Sequence, residues 1–441
     1  MIQTLRNAWK VPELRKKLLF TALVILIFRI GCAIPVPFIN IGEGGLLQQS
    51  NTATFLDYIN MISGNAFNYG TIFAMSITPY INASIIIELL TVAIPALERL
   101  AKEGEDGRKK ISKITRYLGV GLAVMQGIAY YVYLNSQNAL TATTSTFGKV
   151  FQAIVIVAIL AAGAALTMWL GEEINEKGIG NGISIILFAG IVSRIPSYAT
   201  QLWGYFTNGG IFYALAPIAL VCILALIVFI VWMDNAERRI PVQYSKRVVG
   251  RKMYGGQSSN IPIKVNMSGV LPIIFASSIL SIPSTIQMFV NVSEEGFWSK
   301  FFKVFTTEHW AYGLIYFVLI IFFAYFYASI QYNPVEMANN LAKNGGNIPG
   351  VRTGRPTSDY IARVLSKMIL LGALLLSVVA LFPILFSQIT TLICVKGFHT
   401  ETGMSISLGG TSIIILVGVA LETVQQLESQ MMMRHYKGFL D

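Results

Sequence analysis

Few side chains in this 441-residue chain carry reactive chemistry, and their spacing assembles none of the common catalytic groups. Cys32, Cys222 and Cys394 lie far apart, the first two inside apolar runs, so neither a disulfide framework nor a zinc site is indicated. His309, His399 and His435 fall in loops or the tail. No Walker-type glycine loop, HExxH motif or nucleophile–base pair is present. The sequence therefore predicts no enzyme, no cofactor and no metal, and any energy source must come from a partner. Two ionisable groups fall within apolar stretches: Arg29, expected near mid-depth of the first, and Glu88, expected in the cytoplasmic half of the second. Charges there are expensive and usually functional, but two isolated ones do not make a proton or sodium relay.

The remaining signal is apolar patterning. In "SITPYINASIIIELL", Ile77 and Ile81 stand one helical turn apart, and "GISIIL" repeats that spacing with Ile183 and Leu187. Branched aliphatic side chains at one level could form a narrow, dewetting seal; ordinary helix packing gives the same spacing. Upstream, residues 52–64 read as a short helix. Thr52 or Thr54 caps it, Phe55, Leu56, Ile59 and Ile62 form one face, and Gly64 ends it. A helix of about ten residues cannot cross ~30 Å of hydrocarbon. It is a re-entrant or buried piece, or else an interfacial one.

These residues must be held by membrane helices. Of the chain, 54% is hydrophobic and only 12% charged, against about a quarter charged in soluble proteins. About ten apolar runs are long enough to span, near 18–35, 72–94, 117–134, 151–170, 182–197, 212–232, 270–290, 311–330, 364–386 and 406–424. The fifth is short, ending at Arg194. With the N-terminus inside, the cytoplasmic segments hold 27 of the 33 Lys and Arg residues, and the outer ones only Lys149, Arg194, Lys300, Lys303 and Lys396. That asymmetry sets the orientation and places both termini in the cytoplasm. It also accounts for the net charge of +11. Residues 1–17 read as an amphipathic helix on the inner leaflet, with Ile2, Leu5 and Trp9 on its apolar face. The first run has no small-residue cleavage site and is read as a retained span.

Two groups of five spans, 18–200 and 201–425, must run in opposite directions if they are structural repeats. The second run of each carries proline, Pro79 in one and Pro272 and Pro283 in the other, which predicts a break in both. The cytoplasmic loops 233–268 and 332–363 are long, basic and shaped by Gly and Pro. They suit a large, partly anionic docking partner. The tail is 426–441.

Several of these motifs are specific. "KEGEDGRKKISKITRY", "GNGISII", "KVNMSGVLPIIFASSI" and "NIPGVRTGRPT" closely resemble the SecY family, the channel subunit of the bacterial Sec protein translocon, and the resemblance runs over almost the whole chain. It implies an all-α polytopic membrane fold of ten helices in two inverted five-helix halves around a central pore. By resemblance, Ile77, Ile81, Ile183, Leu187, Ile274 and Ile415 would form the pore ring, and the segment holding Phe55, Leu56, Ile59 and Ile62 the plug. Asn82, Glu88, Asn266 and Ile282 would belong to a lateral gate between spans two and seven. Arg238, Arg239, Lys246, Arg247, Arg251, Lys252, Arg352 and Arg355 would dock the SecA motor ATPase or the ribosome. Glu88 stands where many relatives have Gln, and Thr353 where the family often has proline. The implied partners are SecE and SecG subunits, SecA, the ribosome, preprotein and signal-sequence substrates, and membrane lipids. The lack of a transit peptide favours a bacterial plasma membrane over a plastid. An inverted-repeat secondary transporter for a small solute is the alternative; it would need polar groups where the resemblance implies an aliphatic ring.

Overall fold

Every backbone N–H and C=O must find a partner inside the protein where lipid replaces water, which favours long helices. The computed structural model describes residues 2–41, 46, 60, 62–141, 145–207, 212–244, 247–249, 252–254, 258–289, 297–305, 309–393 and 410–437. The helices are α1 (Ile2–Lys10), α2 (Pro12–Gly31), α3 (Thr78–Ala93), α4 (Pro95–Lys102), α5 (Glu105–Ser136), α6 (Thr146–Lys177), α7 (Gly182–Val192), α8 (Ile195–Thr207) and α9 (Phe212–Asn235), followed by α10 (Leu271–Phe289), α11 (Phe297–Val304), α12 (Trp310–Gln331), α13 (Pro334–Lys343), α14 (Arg355–Leu392) and α15 (Gly410–Lys437). Among the described residues, seven helices are long and apolar enough to cross a membrane, or eight if α3 and α4, bent by 102°, count as one span. The other two expected runs fall on α2, which carries charge at both ends, and on α10.

The chain divides into two compact units. The first holds Met1–Gly209, Ser281–Thr307 and Ile415–Asp441; the second holds Gly210–Leu280 and Glu308–Ile414.

Three local expectations are corrected. Pro79 does not interrupt its helix but begins it, as Pro272 begins α10. Proline lacks the N–H that a first helical turn leaves unused, and its fixed φ suits that position. The sharp bend comes instead before Pro95, while Pro283 does lie inside α10. Arg29 sits in the last turn of α2, at its C-terminal end. The fifth span does not stop at Arg194 but runs over Gly182–Thr207. Arg194 is thus inside it, with its guanidinium 5.1 Å from the centre of the Tyr198 ring.

The second unit adds a small sheet that the helical reading did not contain. β1 (Glu237–Tyr244) pairs antiparallel with β4 (Ser258–Lys264), from Glu237 opposite Lys264 to Gln243 opposite Ser258. Its far end pairs with β5 (Gly346–Asn347). A separate hairpin joins β2 (Arg247–Val249) to β3 (Lys252–Tyr254). The loops 233–268 and 332–363 therefore fold together. Alternation along β1 buries Ile240 and Val242, and with Ile263, Ala338, Leu341, Ile348, Ile361 and Leu365 they form one core shared by the sheet, α13 and the start of α14. Val242→Asp should destabilise this body by about 3–5 kcal/mol, the scale of an uncompensated buried charge. Limited proteolysis of right-folded protein in membranes should then cut within 233–268 faster than in the parent. Unchanged cutting would show that this core does not hold the loops.

Candidate functional site

Residues 63–77 of the first unit lead from the end of the expected plug to the seal and form turns rather than a regular helix. Buried polar side chains replace the missing ladder. The Asn60 side chain donates to Asn65 Oδ1 at 2.9 Å and accepts from the Asn68 backbone N–H at 3.1 Å. Its carbonyl accepts from Asn65 N–H at 2.9 Å and from Ser63 Oγ at 3.1 Å. Ser63 Oγ in turn accepts from Phe67 N–H at 3.1 Å, and Tyr130 of α5 donates to the Phe67 carbonyl at 2.6 Å. Arg29 reaches the Gly64 carbonyl at 3.4 Å and the Cys32 thiol the Ser63 carbonyl at 3.8 Å. Asn65 and Ser76 take the left-handed backbone region, at φ 75° and 47°, as tight reversals require.

Glycines let three helices press onto this knot. A Cβ at Gly190 of α7 would strike the Ile62 carbonyl, one at Gly163 of α6 the Ile72 carbonyl, and one at Gly31 of α2 the Phe73 ring. Above it, Val36 N–H donates to the Gly70 carbonyl and Ile72 N–H to the Ile34 carbonyl, both at 3.0 Å. Pro35 bridges Thr71 and Ile39 bridges Leu140, closing a collar of extended backbone.

The knot ends at Ile77, the N-cap of α3, so it sets where the expected seal begins. Ile81 N–H bonds back to the Ile77 carbonyl at 3.1 Å. Ile183 lies in the first turn of α7, where Asn181 Oδ1 caps its N–H at 3.1 Å. Leu187 follows one turn on. Ile77, Leu187 and Ile415 are buried within the first unit, and Ile81 and Ile183 half-buried. Ile274 belongs to the second unit, buried in the first turn of α10. Of the expected plug residues, Ile62 is buried at the edge of the knot, whereas Phe55, Leu56 and Ile59 lie outside the described residues.

Asn82 and Glu88 are half-buried on α3. Asn266 follows β4 and donates through Nδ2 to Asp234 Oδ1 at 2.8 Å. Asp234, near the end of α9, is a partner that sequence reasoning missed: the two are 32 residues apart, and no motif joins them. Ile282 lies in α10. Arg238 and Arg239 are exposed on β1, Arg239 beside Glu237 at 2.7 Å. Arg247 and Lys252 belong to the β2–β3 hairpin, and Lys246 and Arg251 lie outside the described residues. Exposed Arg352 sits in a turn framed by Gly350 and Gly354 at φ 81° and 97°, with its carbonyl held by Thr357 Oγ1 at 2.7 Å; Arg355 opens α14.

A family model described as SecY matches residues 71–424. The chain belongs to the SecY family. A "Protein translocase subunit SecY" of Corynebacterium glutamicum is 41% identical, covering 98% of this chain and 99% of its own. One of Streptomyces coelicolor is 43% identical over the full length of both. Among solved structures, "The structure of a protein conducting channel" aligns with a TM-score of 0.62 at 17% identity, over 96% of each chain. Sec61 in the canine ribosome–channel complex aligns at 0.55 with 16% identity, over 96% of each. The SecY-family fold is thus shared, and the chain is a multi-pass membrane protein. The matched residues include every ring, gate and docking position named above, and leave 52–64 outside.

Asn60→Leu would leave the Asn68 N–H and Asn65 Oδ1 without their partner, at about 1–3 kcal/mol each. Detergent-solubilised protein should unfold at lower temperature, and amides of 62–76 should exchange faster. Equal unfolding temperatures for Asn60→Leu and the parent would show that this side chain does not hold the knot.

Proposed function

We propose that this chain is the channel subunit of a bacterial Sec-type translocase, passing unfolded preproteins across the plasma membrane and releasing hydrophobic segments sideways into lipid. The observation that carries the reading is the full-length match to relatives named protein translocase subunits. The burial of Ile77, Leu187, Ile274 and Ile415 supports it. A small-solute carrier would need convergent polar groups at those positions, and none of the relatives or structures named above is a carrier.

In this reading the six aliphatic residues form a constriction that water leaves because its walls offer no hydrogen bonds. The segment 52–64 would serve as its plug, and α3 and α10 would flank a lateral gate holding Asn82, Glu88, Asn266 and Ile282. Release into lipid is a partition decision. Each Leu, Ile, Phe or Val favours it by ~0.3–0.6 kcal/mol at mid-membrane, and one charge opposes it by ~2.5–3.5 kcal/mol. The chain supplies no energy source of its own in this scheme. The folded body built on β1, β4 and β5 presents Arg238, Arg239, Arg352 and Arg355 to SecA or a ribosome. SecE and SecG complete the complex, and both termini face the cytoplasm, consistent with the Lys and Arg asymmetry.

Two measurements test this. Ile81→Asn with Ile415→Asn should let water persist in the constriction and raise resting ion conductance in planar bilayers; conductance at the parent's baseline would remove the ring assignment. Arg352→Glu should abolish motor-driven transport of a purified preprotein into proteoliposomes while leaving the unfolding temperature nearly unchanged, because the residue is exposed in a turn. Normal transport by that variant would sink the docking role.

A further inference from the structure

Helix α11 is amphipathic and too short to cross a membrane. It is tied to membrane helices at both ends: α10 ends at Phe289 and α12 begins at Trp310. At no more than ~3.6 Å per residue, the intervening links keep α11 near the surface where those helices emerge. At 3.6 residues per turn, the sequence spacing places Trp298, Phe301 and Phe302 on one face and positions 300 and 303, both Lys, on the opposite one, with Phe305 just past the helix end. The rings pack as a sheet of aromatic surface, with centroids 6.0 Å apart for Trp298–Phe301, 6.2 Å for Trp298–Phe302 and 5.1 Å for Phe301–Phe305. Phe302 is 5% exposed, but Trp298 is 61% and Phe301 39% exposed, and Trp310 at the start of α12 is 70% exposed. The inner ring is thus seated on protein while its neighbours face outward.

We propose that α11 is an interfacial anchor. Its aromatic face lies at the boundary of headgroups and acyl chains of the outer leaflet, with Lys300 and Lys303 toward anionic phospholipid headgroups, and it holds the outer end of α10 at the membrane surface. Tryptophan and its neighbours prefer this boundary because the ring is apolar and its N–H polar. Lysines beside it gain from anionic lipid. The outer assignment rests on the orientation adopted under the proposed function. The occupant is lipid, and a protein subunit on the same face is the outcome that would refute it.

The test uses the full chain with its three native cysteines replaced by alanine, reconstituted in vesicles containing phosphatidylglycerol. Nitroxides are placed on Phe301→Cys or, separately, Lys303→Cys. The label at 301 should collide mainly with oxygen and sit about 5–10 Å below the headgroups, while the label at 303 should collide mainly with a water-soluble nickel complex. In phosphatidylcholine alone, the label at 301 should become shallower. Equal access of both labels to nickel would overturn the anchor, as would a label at 301 shielded from both reagents by protein. Immersion independent of lipid charge would overturn the role given to the lysines. A membrane-impermeant thiol reagent at 303 separates this from topology: modification only from the cytoplasmic side would refute the orientation, whatever depth the label at 301 reports.

Discussion

The structure depends on satisfying backbone polar groups without water. Helices do so internally, and most of the chain is helical for that reason. Among the described residues, 63–77 carry irregular backbone packed among helices. That is tolerated only where protein replaces the missing hydrogen bonds. Asn60, Ser63 and Tyr130 supply them, each with a polar atom aimed at a main-chain group. The stretch is therefore held by specific partners, and it delivers the chain to Ile77 at a defined point.

Close approach follows from the same constraint. A polar knot cannot be cushioned by bulky side chains without losing its partners, so the helices around it present glycines. Gly31, Gly163 and Gly190 come from α2, α6 and α7, and each faces an atom that a Cβ would displace. A similar economy appears at the turn between α6 and α7. There Gly182 abuts the Gly171 carbonyl, and Asn175 Oδ1 accepts from Gly182 N–H at 2.8 Å. Ile179 beyond it packs with Ala8, Leu14 and Leu427, tying α1 and α2 to the lower part of α15. One face of the N-terminal helix thus packs on the chain itself, since Ala8 is fully buried by protein.

The spans were legible because a long apolar run has few other uses, and basic residues accumulate visibly between such runs. The fold class followed from them and from the motifs. The knot was not legible: its bonds join Asn60 to Asn65 and Asn68 across a backbone that only tertiary packing can hold, and no periodicity marks it. The β1–β4 pair was missed because its strands sit in a loop rich in Gly and charge, and β5 is two residues long and distant in sequence. Pro79 misled because proline reads alike at the start of a helix and in its middle. Arg29 stands nearer the end of its helix than the apolar run indicated, because that run continues past Gly31. The proposed ring positions rest on spacing plus resemblance; spacing alone favours ordinary helix packing.

The shared sheet changes what the basic loops can do mechanically. Read separately, 233–268 and 332–363 are two tethered patches of charge. Paired through β1 and β5 over one apolar core, they are a folded body that α9 enters directly at Glu237 and that α14 leaves from Arg355. A partner bearing on Arg352 would meet a turn whose carbonyl is bonded to Thr357, and Thr357 already belongs to α14. Under the proposed docking, load at that tip would pass through this bond into α14. Asn266 lies at the exit from the same body, bonded to Asp234 at the end of α9, immediately before α10 begins. In the proposed channel, docking and the helix that borders the gate are therefore joined through short, hydrogen-bonded links.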